Sequence, residues 1–155
     1  MSKKTIIIIL VIGFSLVIAF IWGNSVLSPD LSGRISETFG EMLSSILGTG
    51  DGSTTVGNIP VRKMGHFCEF FALGALTWLL LSAFISNKLL RTLSATALGL
   101  FVPLMDETIQ IFSGRGHSIR DVWIDISGFV VGAILSMIVL FVVSTIVKRV
   151  KNKHK

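Results

Sequence analysis

The chain has 155 residues, of which 51% are hydrophobic and 15% charged, and its apolar runs reach about 20 residues, the length that crosses ~30 Å of hydrocarbon. A formal net charge of +5 invites a nucleic-acid reading, but the 14 Lys and Arg sit largely at the ends of apolar runs, where membrane topology accounts for them, so nucleic acid is not an expected partner. The single cysteine, Cys68, excludes an internal disulfide and any CxxC metal pattern, and is expected to be a small buried hydrophobe.

In chain order, Lys3 and Lys4 precede an apolar run over 5–27 broken only by Gly, Ser, Thr and Asn. It reads as a first transmembrane span, residues 1–27 forming an uncleaved anchor rather than a signal peptide, with Trp22 in the interfacial aromatic belt. Ser28, Pro29 and Asp30 open a candidate amphipathic helix, because Leu31, Ile35, Phe39, Met42, Leu43, Ile46 and Leu47 make one stripe opposite Arg34, Glu37 and Glu41. Residues 48–60 carry turn formers without periodicity and read as a loop, so 28–61 is expected to be an extracytoplasmic helix and loop. Arg62 and Lys63 open the second span, which ends near Ile85 and holds His66 and Glu69 on one face. After the short basic turn of Asn87, Lys88 and Arg91, residues 92–112 form a third span in which Pro103 removes a backbone donor and is expected to kink the helix. Ser113 to Arg120 read as a polar loop, 121–147 as the fourth span, and 148–155 as a basic cytoplasmic tail. The fold class is therefore an all-α integral membrane protein, a four-helix transmembrane bundle with both termini cytoplasmic, and 62–147 is its three-span core.

Orientation follows from charge. With an inside N terminus, nine of the 14 Lys and Arg fall on the cytoplasmic side, including Lys3, Lys4, Lys88, Arg91 and the tail. All nine Asp and Glu then lie in the outer loops or near the outer ends of spans two to four. Charge at membrane depth costs ~2.5–3.5 kcal/mol per residue on insertion scales, so Asp106, Glu107 and Asp125 mark a polar site that faces outward. Asp106, Glu107 and Gln110 share one side of the third span, and Ser118, Asp121, Asp125, Gly128 and Gly132 follow the same three and four spacing in the fourth. Ser118 can cap that helix, and the two glycines permit close helix contact.

Three spaced motifs carry a resemblance. Lys63-Met-Gly-His66-Phe-Cys-Glu69-Phe-Phe-Ala-Leu-Gly74, then Asp106-Glu107-Thr-Ile-Gln110-Ile-Phe112 with Gly114-Arg115, then Arg120-Asp121-Val-Trp-Ile-Asp125-Ile-Ser-Gly128 resemble the VanZ-like membrane proteins over about residues 62–132. Asp125 departs from the Asn that many members carry. The resemblance implies a bacterial cell-envelope protein of the plasma membrane, linked by its family name to teicoplanin resistance. His66, Glu69, Asp106, Glu107 and Gln110 are the candidate acid/base cluster, and Lys63, Arg115, Ser118, Arg120, Asp121 and Asp125 the candidate binding residues, with His117 over the same mouth. No HExxH-type spacing is present, so neither a metal nor another cofactor is expected. Expected partners are membrane lipid and a lipid-linked cell-wall precursor or glycopeptide. An envelope enzyme acting on a lipid-linked glycan or phospholipid, and a purely structural bundle, remain open alternatives, because carboxylates and Arg in a pocket serve binding and catalysis equally.

Overall fold

A computed structural model describes residues 2–27, 55–56, 59–114 and 118–153, together with Leu31, Arg34, Thr38, Glu41, Met42 and Ser45. Four helices are long and apolar enough to cross a membrane. They are α1 (Lys3–Val26), α2 (Val61–Phe84), α3 (Lys88–Phe112) and α4 (Ile119–Lys153). Between α1 and α2, strands β1 (Thr55–Val56) and β2 (Ile59–Pro60) pair antiparallel, with Thr55 opposite Pro60 and Val56 opposite Ile59. This ladder lies within the stretch read from sequence as a loop.

The helix ends are written in the sequence. Ser2 caps α1 by accepting the Thr5 N–H at 3.1 Å, and Asn87 caps α3 by accepting the Leu90 N–H at 3.2 Å. Helix α3 closes with Ser113, whose N–H reaches the Ile109 carbonyl at 2.9 Å, followed by Gly114 at φ +72°, the left-handed position that glycine adopts without steric penalty. At 35 residues, α4 is about 52 Å long, well over the ~30 Å of bilayer hydrocarbon. The basic segment expected as a tail is thus in large part the last turns of this helix, carrying Lys148, Arg149 and Lys151.

All four helices meet in one core, Ile21 from α1, Phe70 and Leu73 from α2, Val102 from α3 and Phe129 from α4. Trp22 packs half-buried against this core. Outside the core, broad apolar surfaces such as Ile8, Ile12 and Leu16 on α1, or Ile134, Ile138 and Phe141 on α4, point away from the bundle, as lipid-facing residues do. Cys68 is also exposed, which corrects the expectation of a buried thiol. It stands two positions after buried His66 and so on the opposite face of α2.

Of the expected stripe on 28–48, Leu31 and Met42 are helical and exposed. Ile35, Phe39, Leu43, Ile46 and Leu47, like Ser28, Pro29 and Asp30, lie outside the described residues. Helical local bonds run from Thr38 Oγ1 to the Arg34 carbonyl and from Ser45 Oγ to that of Met42.

Helices α2 and α4 form the most extensive pairing in the bundle. A Cβ at Gly74 would overlap the Phe129 carbonyl, one at Gly132 the Phe71 carbonyl, and one at Gly128 the Phe67 carbonyl at 2.5 Å. Backbone thus meets backbone along this seam, as small residues permit between membrane helices. Gly132→Leu is expected to lower stability by about 1–3 kcal/mol or more, as overpacking does, read as a drop in the thermal midpoint in detergent. Gly23→Ala, where a Cβ meets nothing within 4 Å, is expected to leave the midpoint unchanged or raise it slightly.

Candidate functional site

The end of α1, the start of α2, the end of α3 and the start of α4 converge at one end of the bundle. The helices therefore alternate in direction. Asp106 on α3 is fully buried. One of its oxygens accepts from Ser25 Oγ of α1, and the other from Gln110 Nε2, one turn on in α3, at 2.7 Å. A buried carboxylate is tolerable only with such donors. Across from it, His66 of α2 places Nδ1 at 3.8 Å from Glu69 Oε2 and 3.9 Å from Asp125 Oδ1 of α4. Asn24 Nδ2 of α1 donates to Glu69 Oε1 at 3.2 Å. One ligand atom each from His66, Asp106 and Asp125 lies within 4.8 Å of the others, so these three are the described residues able to hold a metal ion together.

Glu107, adjacent to Asp106, serves a different partner. Its Oε1 accepts the Ser118 N–H at 2.7 Å, tying α3 to the start of α4. Ser118 in turn caps α4, its Oγ accepting the Arg120 N–H at 3.2 Å and its carbonyl the Asp121 N–H at 2.8 Å. Lys63 Nζ and Asp121 Oδ1 pair at 3.0 Å on the rim, with about a third of each side chain exposed (38% and 27%). Arg120 is exposed beside them. Arg115 and His117 lie outside the described residues.

An apolar cavity of about 230 Å³ opens between α3 and α4, running from Ile126, the residue after Asp125, toward Trp78 and Thr92 near the other end of the bundle, with Gly99, Leu100, Phe129 and Ile134 in its lining. Phe129 stands one turn from Asp125 along α4, and its ring covers Gly99, where a Cβ would come within 2.6 Å. Leu100 and Ile134 are exposed on the outer surface of the bundle, so the cavity borders the membrane.

The VanZ/LLP1 family model matches residues 5–141. The chain belongs to the VanZ/LLP1 family. Neither the curated proteins nor the solved structures gave a match. The match takes in α1, whereas the motifs legible in the sequence begin at α2. That difference has a structural counterpart, because this VanZ/LLP1 chain uses Asn24 and Ser25 of α1 to hold Glu69 and Asp106. Sequence reasoning missed both residues. Their signal was two adjacent polar residues at the end of an otherwise apolar run.

Ser25→Ala removes a buried donor from Asp106 and is expected to cost about 1–3 kcal/mol, read by thermal unfolding in detergent. Combined with Asp106→Asn, the two losses should fall short of additive by about 0.5 kcal/mol or more, as for residues in direct contact. Strict additivity would show that the bond contributes nothing.

Proposed function

We propose that this VanZ-type membrane protein sits in the bacterial plasma membrane with both termini cytoplasmic, and binds a lipid-linked cell-wall precursor at an outward-facing polar site, thereby contributing to glycopeptide resistance of the teicoplanin type. One observation carries the reading. An apolar cavity that borders the membrane starts at Ile126, next to buried Asp125 of the ionisable cluster, and runs from there toward the other end of the bundle, a layout suited to an amphiphile whose polar head and hydrocarbon chain are held together. Lys63 and Arg120 at the rim supply positive charge suited to a phosphate-bearing head, and guanidinium geometry favours two-point contact. Arg115, three residues after Phe112 in the same connection, is assigned the same role. The orientation rests on the excess of Lys and Arg at the opposite end of the bundle, where Lys3, Lys4, Lys88 and the end of α4 lie.

A second reading has an observation of its own. His66 stands between two carboxylates at 3.8 and 3.9 Å, an arrangement that orients an imidazole for general acid/base work on a bound lipid-linked glycan or phospholipid. Under both readings the amphiphile occupies the same place, and turnover separates them.

In a glycopeptide-sensitive host carrying the gene, Asp106→Asn and Arg115→Gln should abolish the rise in teicoplanin inhibitory concentration while the protein accumulates at its normal level. Ala133→Phe, which fills the cavity wall, should reduce it too. Wild-type resistance in all three stable variants overturns the proposal. For orientation, a cysteine placed in the 48–60 stretch of a Cys68→Ala chain should react with a membrane-impermeant thiol reagent in intact cells, and one at position 88 should not. The reverse labelling pattern would place the site in the cytoplasm.

A further inference from the structure

We propose that His66, Asp106 and Asp125 form a binding site for one divalent metal ion of the kind that takes mixed imidazole and carboxylate ligands. The three residues come from α2, α3 and α4, all are buried, and each offers a ligand atom within 4.8 Å of the other two. Zinc bonds to nitrogen and oxygen are about 2.0–2.2 Å, which at tetrahedral angles sets neighbouring ligand atoms roughly 3.4 Å apart. Small side-chain rotations therefore bring all three atoms onto one ion.

Asp125 points independently to a ligand. It is 1% exposed, its Oδ1 has no hydrogen-bond donor among the described residues, and that atom faces His66 Nδ1 at 3.9 Å. The separation is too long for a hydrogen bond. It is close to the gap that an ion bonded to both atoms would span. A carboxylate oxygen buried without a donor is costly unless something else coordinates it, and a cation between the two supplies that coordination.

The surroundings fit the same use. Ser25 Oγ and Gln110 Nε2 donate to the two oxygens of Asp106 and fix the carboxylate plane. Ligating carboxylates in metal sites are commonly held by hydrogen bonds of this sort. Glu69, at 3.8 Å from His66 Nδ1 and itself held by Asn24, adds negative charge beside the three ligands. One imidazole and two carboxylates without a thiolate disfavour soft ions, and the imidazole disfavours Ca²⁺ and Mg²⁺, so Zn²⁺ and Mn²⁺ are the ions of choice. Three protein ligands leave a coordination position open to water or to an oxygen of a bound molecule. No short sequence motif announces such a site, because each ligand stands on a different helix. The site does not depend on what occupies the apolar cavity.

The test uses the full chain purified in detergent, freed of any affinity tag, stripped with chelator and then equilibrated with Zn²⁺ or Mn²⁺ alone. Elemental analysis after removal of free ion should find about one equivalent of one of these ions per chain, and the thermal midpoint should rise with metal. Asp125→Asn and His66→Gln should each weaken binding by about tenfold or more, whereas Glu41→Gln, on the exposed helical stretch after α1, should bind as the wild type does. Should either site variant fail to fold, X-ray absorption of the Zn²⁺-loaded wild type decides, with one imidazole among oxygen ligands expected. Binding below about a tenth of an equivalent for both ions, unchanged affinity in a folded Asp125→Asn, or a coordination sphere without imidazole overturns the proposal.

Discussion

The close approach of α2 and α4 is the constraint on which the rest of the bundle depends. In lipid, burying one apolar side chain against another displaces only hydrocarbon, so helix association relies on tight packing and polar contacts. Here three glycines let the Phe67, Phe71 and Phe129 backbones sit where side chains would otherwise stand. Gly128 lies three residues beyond Asp125, and Phe67 follows His66 directly, so the seam that holds the helices also sets the separation of the imidazole from the carboxylate. A wider crossing would open that separation and let solvent between the charged groups. Packing at the seam and chemistry at the end of the bundle are therefore one structural fact.

Much of this was legible in the sequence because the bilayer imposes simple rules. The four spans could be read from run length and flanking charge, since hydrocarbon thickness fixes the length of an apolar helix. Placing Asp106, Glu107 and Gln110 on one side of a helix needed only the offsets of three and four, and all three prove buried. What could not be read was the division of labour between Asp106 and Glu107. Consecutive residues differ by about 100° around a helix, so one carboxylate turns to Ser25 of α1 and the other to the Ser118 N–H, and only the packed bundle says which. Asn24 and Ser25 were hidden for a related reason, because polar residues near the end of a span look the same whether they meet water or a buried carboxylate. Cys68 shows the opposite failing. Its spacing from His66 already placed it on the outer face of α2, and the general tendency of cysteine to be buried was the weaker guide.

The far end of the bundle is fastened by Arg91, whose guanidinium donates to the Ile85 carbonyl at 2.8 and 3.1 Å and to Ser82 Oγ at 3.2 Å while lying 5.7 Å from the centroid of the Trp78 ring. The cation thus ties Ser82 in the last turn of α2, and Ile85 just beyond it, to the first turn of α3. At the other end, Ser25 and Ser113 lash α1 to α3. Sliding any of these helices along its axis by even part of a ~5.4 Å turn would break a fastening at one end or the other. These bonds oppose axial sliding, whereas α3 and α4 stand apart sideways around the apolar cavity. The bundle is accordingly open at its flank, like a parted seam between α3 and α4, rather than along its axis.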